Sequence, residues 1–365
     1  MTKISNRLEK HAVRLDLAED ALVHENLSGA AFVGEFLWVA SDEACGVERL
    51  ERLAPVGDES LRFGAPTNFP LADLLDLPGE ADAEADLEGL AVHDGYLWVV
   101  GSHGLKRKNA KTGRDNASNA KQLTQLKLDA NRRLLARLPL DEDDAGRPTL
   151  SRQTADGRRA ARLRGDATAN ELTRLLADDP HFGAFLSIPG KDNGFDIEGL
   201  AVFGNRLLLG LRGPVLRGWA GMLEIAVEAD GRDLTLAPLD NRGTKLRKHF
   251  LDLDGLGVRD LHVDGTDLYV LAGPTMALDG EVRLYRWPNG LDRVTENVDP
   301  AAFWTSLETS CVLPHGDGCD RAEAFCALPA ALAGGQRGWL ALYDAPSPDR
   351  HVARYSVFGD IVRRD

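Results

Sequence analysis

The sequence predicts an all-β fold built from repeated antiparallel units, and three observations predict it. One pattern of an acidic residue, a small residue, an apolar run, a short turn and a second apolar run recurs along the 365 residues. The turns carry Asp-Gly or Gly-Asn, residues that tolerate positive φ. The second runs, such as LWVV and LYVL, are rich in aromatic and β-branched residues. Each copy therefore reads as a β-hairpin, and further strands follow it. A four-strand unit repeating about every sixty residues is a propeller blade.

The copies run in order along the chain. They are NLSGAAFVGEFLWVAS from Asn26, DLEGLAVHDGYLWVVGS from Asp86 and DIEGLAVFGNRLLLGLRG from Asp196, with weaker copies from Gly257 and Arg321. The turns are placed at Asp94–Gly95, Gly204–Asn205 and Asp264–Gly265. The stretches QLTQLKLD, GMLEIAVE, VRLYRWP and HVARYSVF supply outer strands. The run HAVRLDL precedes the first full copy and has no hairpin of its own. It is expected to complete the last blade and so close the ring, which removes a free sheet edge. The expectation is a single domain over residues 1–365, a β-propeller of five or six blades. The gap of about 110 residues between the second and third copies holds a sixth blade or an insertion. An insertion over residues 141–185 is favoured, because residues 141–168 are polar, basic and poor in strand formers. It is partly helical: TANELTRLLADDP reads as a short helix with Thr168 as N-cap, Glu171 completing a capping box and Pro180 beyond its end.

Composition bounds the rest. A hydrophobic share of 43% supports a substantial core, and a net charge of -14 disfavours general adhesion to nucleic acid or anionic membrane. No apolar run approaches the roughly 18 residues that span a bilayer, and the polar N-terminus lacks the apolar stretch of a secretory signal, so a cytoplasmic protein without membrane contact is expected. Four cysteines are too few for a disulfide scaffold. Cys311, His315 and Cys319 are zinc-type ligands at even spacing, but a closed zinc site needs four ligands, so this loop reads as one with reduced thiols. Residues 101–165 carry sixteen Lys/Arg against seven Asp/Glu. That surplus reads as a solvated face or as an attractor for an anionic ligand, a protein or nucleic acid.

The hairpin geometry also places the polar residues. The first strand opens on the face where the second closes, and the innermost strand lines the channel. Matched first-strand positions hold Ser28, Glu88, Glu198, Arg259 and Glu323, with Asp86 and Asp196 two residues before their glutamates on the same side. Second strands end at Asp42, His103, Arg212 and Asp344, with Lys106, Arg107 and Arg217 just beyond. These side chains are expected around one mouth of the channel. Glu88, Glu198, Glu323, Asp86 and Asp196 could hold a calcium ion, which takes six to eight oxygens, or be neutralised directly by Arg259, Arg212 and Arg217. His103 is a candidate general base. No nucleophile elbow, phosphate-binding P-loop, HExxH motif or dinucleotide fingerprint in context is present.

At DLEGLAV, LWVVGSHGLKRK, NGFDIEGLAV and LRGPVLRGWA the sequence resembles an uncharacterised family of bacterial β-propellers, a domain of unknown function, from about Leu27 to the last blade. More distantly, the Asp-x-Glu-Gly strand openings are similar to phytase-like and esterase-like propellers, whose six-bladed relatives include calcium-dependent phosphatases and lactonases. That resemblance implies Glu88 and Glu198 as calcium ligands or channel acids, and Arg212 and Arg217 as the grip on an anionic substrate. Ser28 and Arg259 depart from the acidic pattern. Two functions follow as expectations. One is a calcium-assisted hydrolase of a small anionic ester, a phosphoester or a lactone, with Glu88, Glu198 and His103 catalytic and Lys106, Arg107, Arg212, Arg217 and Arg259 binding substrate. The other is a non-catalytic propeller that binds an anionic ligand, protein or nucleic acid through the same face and the basic segment.

Overall fold

The computed structural model describes residues 6–19, 22–316 and 318–364. The described chain is almost entirely β, arranged as five arrays of four main strands. The first array runs Leu27–Val33, Phe36–Ser41, Gly46–Leu53, Leu61–Pro70 from inside to outside. The second runs Leu87–His93, Tyr96–Gly101, Leu135–Glu142, Ala161–Leu163, and the third Asp196–Phe203, Arg206–Leu216, Trp219–Asp230, Asp233–Ala237. The fourth is Gly257–Asp264, Asp267–Gly273, Val282–Trp287, Glu308–Leu313. The fifth, Arg321–Ala327, Gly338–Asp344 and Ser356–Arg364, is completed by Asn6–Asp16 from the other end of the chain. The expected closing strand is therefore present. It also runs parallel to the first array's outer strand, pairing Val13 with Leu61.

The innermost strands neighbour one another in a cycle: first to second, second to third, third to fourth, fourth to fifth, and fifth back to first. The first four opening hairpins turn in two residues, whereas a longer loop over residues 328–337 joins the fifth. Asp94 and Gly95 both have positive φ, whereas Gly34, Gly204 and Gly265 supply it at the first turn position elsewhere. The fourth turn is Gly265–Thr266, one residue later than the spacing predicts.

The core lies between the arrays. Each of five large apolar clusters is shared by two neighbours. Trp38 and Val47 of the first array meet Leu87 and Leu97 of the second, and Trp98 and Val100 of the second meet Leu200 and Leu207 of the third. Leu208 and Met222 meet Leu261 and Val270, Tyr269 and Leu284 meet Phe325 and Trp339, and Leu340 and Leu342 meet Val13 and Leu37. Interfaces of this kind pack each array against the next. A fully buried residue such as Trp38 contributes roughly 2–3 kcal/mol through its area removed from water.

Two expectations change here. Residues 141–185 do not lie wholly outside the array, because Ala161–Leu163 is the outer strand of the second array, paired with Leu135–Glu142 and, in parallel, with Asp233–Ala237. The short helix spans Glu171–Leu176 and is capped by Asn170, not Thr168, with Thr173 completing the capping box. Asp166 instead accepts from Thr168, bending the chain ahead of the cap. A separate flap emerges between the second array's second and third strands. It pairs Lys106–Arg107 with Leu126–Lys127 and carries the helix Asn116–Leu123, capped by Asp115. Among the described residues, no helix is long and apolar enough to cross a membrane.

Candidate functional site at the charged mouth of the channel

Every inner strand carries one unopposed residue at the same place. The pairing register skips Ser28, Glu88, Glu198, Arg259 and Glu323, which makes each the extra residue of a β-bulge. In the third array the second strand is bulged as well, at Arg212. A bulge breaks the two-residue alternation and re-aims a side chain. Here it brings five matched side chains to the same end of the ring. The glycines after three of them let neighbouring strands close in. A Cβ on Gly89 would lie 2.8 Å from Leu200 Cβ and 3.0 Å from the Glu198 carbonyl oxygen, and one on Gly199 would lie 2.8 Å from Leu261 Cγ.

The result is a cavity of about 180 Å³. Its lining includes Asp42, Asp86, Glu88, Asp196, Glu323 and Asp344 together with Lys106, Arg107, Arg132, Lys191, Arg212, Arg259 and Arg321. Residues from four of the expected strand openings and three of the expected strand ends thus meet. Glu198 stands directly behind, only 1% exposed. Ser28 closes the ring by donating to the Leu87 carbonyl of the next array.

The cavity divides into two sectors by charge. On the side of the third and fourth arrays, guanidinium groups neutralise the acids. Arg212 Nη2 reaches Asp196 Oδ2 at 2.6 Å and its Nη1 reaches Glu198 Oε1 at 2.7 Å. Arg259 Nη1 donates to Glu198 Oε2 at 3.1 Å and to Glu323, and its Nη2 donates to the Pro274 carbonyl at 2.9 Å. Burial pushes the Glu198 carboxyl upward, and both guanidiniums pull against it. On the second-array side, Arg132 pairs with Asp86 and reaches Glu84 at 2.7 Å, and Glu84 also holds Lys106 at 2.9 Å.

The remaining sector is different. Glu88 is 7% exposed, and no hydrogen bond or ion pair reaches it among the described residues. Burial, then Asp86, Glu198, Glu323 and Asp42, hold its carboxyl well above the usual range. Asp42 is pushed to about 8 by burial and by Asp86, Glu323 and Asp344, and its Oδ1 is buried without a partner. Asp344 is raised only to about 6, because Arg321, Lys191 and Arg259 offset part of the effect of burial and Glu323. Arg321 stands 3.6 Å from Asp344 and 3.9 Å from Asp279, both loose pairs.

Two expected site residues lie elsewhere. His103 is buried but does not line the cavity. Its Nδ1 meets the Gly101 carbonyl at 2.8 Å and its Nε2 meets Asn170 Nδ2 at 2.8 Å, so both ring nitrogens are occupied and the ring latches the second array to the capped helix. Burial lowers its pKa to about 4, leaving a neutral ring with no free nitrogen for a substrate proton. Arg217 sits exposed at the Leu216–Trp219 turn with φ 54, outside the cavity lining.

The calcium set also meets a physical obstacle. Arg132, Arg212 and Arg259 occupy carboxylate oxygens of Asp86, Asp196, Glu198 and Glu323, leaving too few free for a cation that takes six to eight. Among the described residues, no group of three or more His, Cys, Asp or Glu is arranged to hold a metal. The five carboxylates as they stand do not fit calcium.

Sequence reasoning missed Arg132, Lys191 and Arg321. Arg321 had a signal, since it opens the fifth inner strand at the position of Asp86 and Asp196. Arg132 arrives on the turn Ala130–Arg133 before the second array's third strand, and Lys191 on a loop before the third inner strand. The repeat covers neither.

Comparison with known proteins adds the family. No curated protein matches the chain. Among solved structures, an exo-1,5-α-L-arabinanase from a bovine ruminal metagenomic library is 11% identical, with 93% of each chain covered and a TM-score of 0.38. A putative oxidoreductase (glucose dehydrogenase) from Thermus thermophilus is 15% identical, with 99% of this chain and 100% of that one covered and a TM-score of 0.38. A streptogramin B lyase is 10% identical over 99% and 98%, with a TM-score of 0.34. Likeness at this level carries no argument about reaction or substrate. The family model described as protein of unknown function (DUF3616) matches residues 26–360, from the first inner strand to the last outer one. The chain therefore belongs to the DUF3616 family.

Proposed function

We propose that the charged mouth hydrolyses a small anionic ester, foremost a phosphoester, by proton transfer between its carboxyl groups, on a propeller whose five arrays are its five blades. Glu88 carries this reading: it is a buried carboxyl that lines a cavity and has no partner among the described residues. Such a group is costly unless it keeps its proton or serves a ligand. Its pKa is held well above the usual carboxyl range, which favours the protonated form, whereas Asp344 is raised only to about 6. Two carboxyls held apart in pKa within one cavity suit a general acid and a general base.

In this reaction Asp344 takes a proton from water as the water oxygen attacks the ester phosphorus. Glu88 gives its proton to the departing alkoxide oxygen, so the products are the acid and the alcohol. Solvent then returns a proton to Glu88 and removes one from Asp344. Lys191 and Arg321 take the negative charge of the substrate, with Lys106 and Arg107 at the rim and Arg212 and Arg259 fixing the acids behind. No step runs through a metal. A lactone is the same reaction on an internal ester and differs only in substrate.

The test is Glu88→Gln against a panel of phosphomonoesters and lactones at pH 7. Gln keeps the size of the protonated acid, so the fold is retained. Turnover is expected to fall by about 10²- to 10⁴-fold. Full activity in the variant, or no turnover of any panel member by the unaltered protein, defeats the reading. Calcium titration with thermal melting checks the cation separately, since a bound ion raises the melting temperature.

A second reading has its own observation. Lys108, Lys111, Arg114 and Lys121 are exposed on the flap, which favours recruitment of an anionic macromolecule. Replacing these four by Ser and measuring binding of duplex DNA and heparin at two salt concentrations tests it.

A further inference from the structure

The walls of the same cavity change character towards solvent. The floor is charged, and the solvent-side lining mixes Lys106, Asn109, Lys191 and Asp192 with apolar side chains, Leu105 and Leu123 from the flap and Met276, Ala277 and Leu278 from the loop after the fourth array's second strand. Leu123 ends the flap helix and is 46% exposed, and Leu278 on the loop after the fourth array's second strand is 54% exposed. Neither belongs to any of the apolar clusters that make up the core. Large apolar side chains left in water at the rim of a polar pocket mark a contact for something that arrives.

Both lips are anchored to the charged site. Arg107 spans the flap by donating to the Leu123 carbonyl and reaches Asp192 at 2.6 Å, and the Gly190 amide donates to the Leu105 carbonyl. On the other side the Pro274 carbonyl accepts from Arg259, and Thr275 Oγ1 donates to Asn193 Oδ1 at 3.2 Å. The apolar rim is therefore set relative to Arg259 and Lys191.

We propose that the ligand of this mouth is amphiphilic: an anionic ester head seated on the charged floor and an unbranched alkyl arm leaving between Leu123 and Leu278. This rests on the hydrolytic reading of the mouth and adds the class of alcohol that the ester carries. A head of phosphate size fits a cavity of this volume, and the arm takes the only apolar surface continuous with it in the lining. The rim thus selects for chain length while the floor selects for charge.

The probes are alkylphosphonates, whose carbon–phosphorus bond resists hydrolysis, so binding is read apart from turnover. Affinities of methyl-, butyl- and hexylphosphonate are measured by calorimetry on the full chain at pH 7. Each methylene that leaves water tightens binding about fourfold, so burial of about three of the methylenes that hexylphosphonate adds is expected to make it bind about fiftyfold tighter than methylphosphonate. In the double variant Leu123→Ser, Leu278→Ser that ratio is expected to fall below about fivefold. Both side chains are exposed, so the variant is expected to fold, which far-UV circular dichroism checks. If methylphosphonate binds but the series is flat, the alkyl arm is overturned and the charged mouth stands. If the ratio survives in the double variant, the arm lies elsewhere and the proposal fails. If no phosphonate binds at any length, the charged-mouth reading falls and takes this inference with it.

Discussion

The channel has two ends, built by the same five inner strands and opposite in kind. One end gathers Asp42, Asp86, Glu88, Arg259, Glu323 and Asp344. The other is lined mainly by apolar side chains, Ala30, Phe32, Leu90, Val92, Leu200, Val202, Leu261, Val263, Phe325 and Ala327, with His93 and His262 among them. At the apolar end the strands keep regular two-residue alternation and hold together by simple packing. At the charged end each strand carries a bulge, and the unopposed side chain is polar in all five arrays. A bulge gives up ladder pairing, and burying these groups costs desolvation. A ring that only needed to be stable could repeat its apolar end at both openings. The difference marks the end where the proposed chemistry would sit.

Four measurements break or sharpen this contrast. The largest effect is expected from Arg259→Met, which strands Glu323 in the interior and removes one of the two guanidiniums that neutralise Glu198. Loss of a buried partner costs about 3–5 kcal/mol, to be read from urea unfolding. A cost below about 1 kcal/mol would mean that ion pairs do not hold the charged end. Next is Asp42→Asn. The Asp42 carboxyl is pushed from 3.8 to about 8, so it ionises more readily in the unfolded chain. Its contribution is fully present below pH 4 and is lost as pH rises towards about 8. The Asn variant should match the parent near pH 4 and exceed it above pH 8, by about 2–3 kcal/mol once partial exposure is discounted. Melting curves across that window check the sign.

His103→Ala is expected to cost about 2 kcal/mol by freeing Asn170 and the helix it caps. Turnover per folded molecule should not change, which separates this latch from the mouth beside it. The smallest effect is expected at the other end. Val92 is 40% exposed there, and Val92→Lys should shift stability by no more than about 0.5 kcal/mol. A large loss of activity in that variant would show that the apolar end takes part in function.

Much of this contrast is legible in the amino acids. The hairpins, the closing strand and the equivalence of Ser28, Glu88, Glu198, Arg259 and Glu323 follow from the repeat, because a matched bulge preserves spacing within each copy. What the repeat cannot carry comes from outside it. Arg132 precedes a third strand and Lys191 lies on a loop, so only packing brings them to the mouth. The outer strand Ala161–Leu163 is three residues among arginines and has no periodic signal to set it apart. His103 sits at a matched strand end, yet its φ of 59 and its bond to Asn170 turn it away from the cavity. The sequence leaves open whether the glutamates hold a cation or pair with Arg212 and Arg259, and side-chain reach makes those pairs.

The closing strand carries a consequence for how the molecule is made. Asp16 accepts from Ser356, a partner 340 residues further on. On the ribosome, Asn6–Asp16 is made some 340 residues before its antiparallel neighbour exists. Until then the nascent chain leaves one edge of this strand unpaired, the kind of surface that other chains can pair with. A premature stop near residue 350 would thus remove Ser356–Arg364 and leave the first array and the last unjoined. Loss of solubility in such a truncation, out of proportion to its length, would be the cellular signature of a ring that latches last.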